Sequence, residues 1–107
     1  MPDGSTNQNR VEYLESIGIS AKELNVFSKE ITIPQEFSDV YNNYNKLQNK
    51  AGFDLSEYKG KKATLYTYPM YGTTEIHVIV HNGVIIGGDI ASVEFGGEMK
   101  PLVNPQK

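Results

Sequence analysis

The sequence predicts an α+β domain of two layers: an antiparallel sheet of three to four strands with two helices packed on one face, in the order α-β-α-β-β-β. Two apolar, β-branched runs, 74–81 and 84–93, are joined by Asn82-Gly83, a pair that readily takes the positive φ a type I′ hairpin turn demands. Two earlier stretches repeat apolar residues at steps of three and four, and each stops at a glycine followed by an apolar residue. Consecutive strands usually pair, and a helix with one apolar stripe must bury it against the sheet.

Taken in order, residues 1–6 are short, polar and turn-prone and read as a disordered linker, followed by a single domain over 7–103 and a frayed tail over 104–107. Val11, Leu14 and Ile17, with Tyr13 alongside, give a helix at about 7–17, closed by Gly18-Ile19. Leu24 to Ile33 alternates and reads as a strand that Pro34 ends. Pro34 also suits a first helical turn, so Phe37, Val40, Tyr41, Tyr44, Leu47 and Ala51 place a second helix at about 35–51, stopped by Gly52-Phe53. A helical turn follows within 54–60. Lys61 to Met70 is a strand with Ala63, Leu65 and Thr67 on one face and Thr64, Tyr66, Tyr68 and Met70 on the other, and it turns at 69–73 into the hairpin.

The 107 residues allow one modest core. A net charge of −3, with no basic block beyond Lys59, Lys61 and Lys62, disfavours nucleic acid and anionic membrane surfaces. With no cysteine there is no disulfide, thiol nucleophile or thiolate metal site, and no apolar run reaches the roughly 20 residues of a membrane span. No cofactor motif is present: Gly87-Gly88 and Gly96-Gly97 lack the strand-loop-helix context of a phosphate cradle.

Chemistry, if any, centres on the histidines. His77 and His81 share a strand face but stand roughly 13 Å apart, too far to bind one metal ion. Strict hairpin register sets His77 opposite Gly88 and turns Asp89 into the apolar face, a costly place for a charge. A bulge at Gly87-Gly88 would return Ile90 to the core and bring Asp89 to the face of His77. Two readings of that pair stand side by side. Either Asp89 satisfies neighbouring donors structurally, or His77 and Asp89, with Tyr66, form an acid-base site. Tyr66, Tyr68 and Met70 also line one face as a stacking surface without the basic funnel of a single-strand RNA binder, so cross-strand packing is the plainer reading.

Several segments together, VEYLESIGI, ITIPQEFSDVYNNYNKLQNKAGFDLSEYKGKKATLYTY and NGVIIGGDIAS, resemble a bacterial domain of unknown function found mainly in clostridial Firmicutes. The match runs over about 11–102 and is carried by Tyr44, Asn45, Leu47, Gly52, Asp54, Leu55, Tyr58 and Gly60, then Tyr66, Tyr68, Gly83 and Ile86 to Asp89. It departs in the compact 69–72 link and in lacking an anchor. The resemblance implies the C-terminal, extracytoplasmic part of a small membrane-anchored or lipoprotein-type protein, and it brings no activity and no catalytic residues. The expected function is a non-catalytic module that binds or senses a protein or small ligand through Tyr66, Tyr68, Met70, Tyr71, His77 and His81 and the open sheet face. The alternative is a small acid-base hydrolase using His77 and Asp89. Expected as a monomer, the chain also has edge strands through which a weak homodimer could form.

Overall fold

A computed structural model describes residues 2–21, 26–69, 74–92 and 99–103. It shows an α+β domain with a five-stranded antiparallel sheet and two helices. The order is α1 (Asn7–Ser16), β1 (Phe27–Thr32), α2 (Asp39–Lys50), a 3₁₀ turn (Leu55–Tyr58), β2 (Lys62–Pro69), β3 (Thr74–His81), β4 (Val84–Ser92) and β5 (Met99–Lys100). The strands form a meander, each beside the next in sequence.

Both helices end as their glycines imply. Gly18 has φ +86° and Gly52 φ +87°. After each, the amide of the following apolar residue reaches back five residues, Ile19 N to Leu14 O at 2.8 Å and Phe53 N to Gln48 O at 3.0 Å. That places Ile19 and Phe53 in the core. At their starts, Thr6 Oγ1 accepts from Asn9 N and Ser38 Oγ from Tyr41 N, both at 3.1 Å. The second cap corrects an expectation: α2 starts at Asp39, four residues later than the position after Pro34. Ser38 supplies the side-chain acceptor there, and Val40, counted in the apolar stripe, is 80% exposed.

The layering differs from the sequence reading. The helices lie on opposite faces of the sheet, giving three layers. Ile76, Val78 and Val80 pack with Val11 and Leu14 of α1, while Ile79 and Ile86 pack with Leu55 and with Tyr41 and Tyr44 of α2. In β3, Val78, Ile79 and Val80 are all buried, so both sides of the pleat are apolar and each requires a cover.

Three further differences concern the periphery. The sheet gains β5, pairing Met99 and Lys100 with Ala91 and Ile90, and next to it Leu102 is buried. Residues 2–4, expected in a disordered linker, run beside the hairpin turn: Ile85 N donates to Pro2 O and Gly4 N to Gly83 O, each at 2.9 Å. Finally, β1 begins at Phe27, and the Leu24 start of the expected strand lies outside the described residues.

Candidate functional site

The site grows out of the hairpin. Asn82 (φ +50°) and Gly83 (φ +76°) make the turn, and His81 faces Val84 as the two-residue loop requires. The register then shifts: Val80 pairs with Ile85 but Ile79 with Gly87, leaving Ile86 as the extra residue. The bulge therefore sits one residue before Gly87-Gly88, where it was expected. Ile85 enters the core under α1, whereas Ile86 packs on the α2 side. A methyl on Gly87 would also point to that side, 2.9 Å from Gln48 Oε1. Gly88, still in register opposite Val78, donates its N–H to Gln48 Oε1 at 2.8 Å.

One consequence of the bulge is that Asp89 stands directly opposite His77 on the same face. That face is not open at Asp89, which is only 2% exposed beneath α2. His77 Nδ1 bonds Asp89 Oδ1 at 2.8 Å, and the Tyr44 hydroxyl donates to Oδ2 at 2.7 Å. The other ring nitrogen, Nε2, lies 3.2 Å from Glu75 Oε2. A chain of four polar side chains thus runs from α2 along this face of the sheet to its rim, where the His77 side chain is 19% exposed and Glu75 36%.

Charge explains the protonation preferences. The hydrogen bond that His77 donates to Asp89 raises the His77 pKa above its usual 6.5 against the opposing effect of burial, and the Asp89 and Glu75 carboxylates add to the rise. Burial first, and the Asp89 carboxylate second, push the Tyr44 phenol far above its ordinary range.

The remaining candidates separate. Tyr66 and Tyr68 lie on the opposite face, under α1, so Tyr66 does not join His77 and Asp89. Tyr68 is fully buried; its hydroxyl accepts from Arg10 Nε at 3.0 Å and donates to Asn7 Oδ1 at 2.7 Å. The Arg10 guanidinium covers the Tyr66 ring at 3.6 Å and donates to Gly4 O at 2.7 Å. The tyrosine pair is core rather than a stacking surface. Met70 and Tyr71 lie outside the described residues. His81 is held apart: Nδ1–H donates to Lys62 O at 2.8 Å, Nε2 accepts from Asn82 at 3.3 Å, and the ring meets Tyr58 edge-on. Among the described residues, no three histidine or acidic side chains gather closely enough to hold a metal ion, and no helix is long and apolar enough to cross a membrane.

Residues 13–90 match the domain of unknown function DUF4830. The chain belongs to this family. The match takes in Tyr44, Gln48, Glu75, His77 and Asp89, so the polar chain lies wholly within the DUF4830 region, while Arg10 and Leu102 fall outside it. Neither the curated proteins nor the solved structures contain a match to this chain. The DUF4830 site owes two of its members to α2, and sequence reasoning missed both roles. In the sequence Tyr44 falls in the apolar stripe of the helix, and Gln48 falls outside it. Their spacing of four, a phenol and an amide on one helix face, is the signal that could have found them.

Proposed function

We propose that this DUF4830 domain is a non-catalytic binding or sensing module of unknown ligand. Its contact surface is the strip of sheet beyond the edge of α2. Phe27, Thr67, His77 and Asp89 form one row across β1 to β4. The row runs from Phe27, 63% exposed at the sheet edge, to Asp89 beneath α2. The observation that carries this reading is where the bonds go: both His77 nitrogens and both Asp89 oxygens are engaged by neighbours within the chain. An acid-base catalyst needs one of those atoms aimed at a substrate. The module is proposed to act as a monomer, because full antiparallel self-pairing of β1 would set Lys29 against Lys29 or Glu30 against Glu30.

A second reading, the acid-base hydrolase, is favoured by the 2.8 Å approach of His77 to Asp89. Chromogenic ester, phosphate, glycoside and peptide substrates separate the two. No turnover that His77→Gln abolishes is expected, and His77-dependent turnover of any of them would replace the module reading with the enzyme.

Resemblance to anchored clostridial proteins supports an extracytoplasmic address, with attachment through a membrane or lipoprotein anchor. Protease added to intact cells that express the full-length protein is expected to digest this domain. Complete protection, with a secreted control cleaved, would place it inside the cell.

A further inference from the structure

His77 and His81 lie on one strand face, yet their partners are of opposite kinds. His81 has a carbonyl at one nitrogen and an amide donor at the other, which a neutral ring satisfies with one N–H and one lone pair. His77 has a carboxylate oxygen at each nitrogen, Asp89 at 2.8 Å and Glu75 at 3.2 Å. Only the imidazolium offers two N–H groups. A neutral ring would keep Nδ1–H on the buried Asp89 and turn its Nε2 lone pair toward the Glu75 carboxylate.

We propose that His77 and Glu75 form a proton-operated latch: the imidazolium holds Glu75 against the sheet, and loss of the Nε2 proton releases Glu75 to solvent while Asp89 stays bound. The two carboxylates differ in what they can do. Asp89 is fixed from behind by the Tyr44 hydroxyl and enclosed by α2, whereas Glu75 sits at the rim with a free path to water. Release changes the net charge of the His77, Asp89 and Glu75 group from about −1 to about −2 and leaves an imidazole nitrogen free beside Thr67. No other ionisable group intervenes among the described neighbours. On this face β2 presents Thr67 and Pro69, and β1 presents Phe27 with Lys29 in the next row. From α2 come Tyr44, bonded to Asp89, and Tyr41 beside it. His81, with Tyr58, lies beyond Ile79. The direction of the His77 pKa, upward, agrees with this geometry and sets the latch to open above 6.5.

The latch stands independently of what the strip binds. Its test is a nitrogen-15 and carbon-13 NMR titration of the whole chain over about pH 5 to 9, following the His77 ring and the Glu75 side chain. In the wild type, both His77 nitrogens are expected to be protonated at the acid end. The ring should titrate above 6.5, and the Glu75 signals should move with the same midpoint. Glu75→Gln should shift the midpoint downward, and Asp89→Asn should shift it further. In His77→Gln, Glu75 should lose the inflection coupled to the ring. Because Glu75 is a rim side chain, its variant retains the fold and carries the decision. A midpoint at or below 6.5, Glu75 signals indifferent to the ring, or an unchanged midpoint in Glu75→Gln would each overturn the latch.

Discussion

Alanine at Gly88 is expected to destabilise the domain by about 3 kcal/mol or more, lowering Tm by roughly 10 to 15 °C in a thermal melt. The cause is backbone rather than packing alone. Gly88 pairs with Val78 at φ +158°, and a Cβ built there would collide with the His77 carbonyl oxygen and come within 2.5 Å of Leu102 Cδ1. Leu102 is a core side chain with little room to retreat. The carbonyl belongs to the neighbouring strand, so relief means parting β3 from β4 beside the His77–Asp89 bond. Gly87→Ala provides the contrast. Its nearest atoms are the Gln48 amide oxygen at 2.9 Å and a Leu55 methyl at 3.2 Å, both side-chain ends with no backbone atom among them, and about 1 kcal/mol is expected. Equal costs for the two, or a Gly88→Ala variant melting within a few degrees of wild type, would show that the β3–β4 pairing is looser than the geometry indicates.

The sequence made some of this legible because the relevant chemistry is local. Asn82-Gly83 specifies its turn through φ alone, and Gly18-Ile19 and Gly52-Phe53 specify helix ends through one left-handed residue and one apolar anchor. The approach of Asp89 to His77 was also readable, since a carboxylate among Ile76, Val78 and Ile90 demands an extra residue somewhere before it. Where that residue falls was not readable. Ile85 and Ile86 are both apolar and both buried, on opposite faces, so the pattern is blind to which of them is extra. The second covered face was misjudged because His77 and His81 suggested solvent, although Ile79 between them is buried and marks an apolar layer. Nothing periodic announces β5, only two residues long. Nor does any pattern in α1 separate the buried Arg10 from solvated charges, since its partners, Gly4, Tyr66 and Tyr68, are set by tertiary packing.

Removing the carboxylate of Asp89 is expected to cost about 3 kcal/mol in urea denaturation near pH 6, and less near pH 9. Two groups lose their partner in Asp89→Ala: the Tyr44 hydroxyl, enclosed between α2 and the sheet, and the Nδ1–H of His77. The sign of the pH effect follows from the His77 shift. Its folded-state pKa is raised above 6.5, so the associated stability is fully present below 6.5 and is lost as pH climbs through the folded value. Tyr44, pushed far upward by burial and by Asp89, keeps its proton across this window and does not contribute to the slope. Wild type should therefore lose stability from pH 6 to pH 9, and Asp89→Ala should lose less over the same interval, because the main cause of the His77 shift has been removed. Asp89→Asn, which keeps an acceptor for Tyr44 but not the charge, should fall between them at pH 6 and follow the flatter pH dependence. A destabilisation equal at both pH values would mean that His77 is already neutral at pH 6, and that Asp89 is held by hydrogen bonding to Tyr44 and a neutral ring without an ion pair.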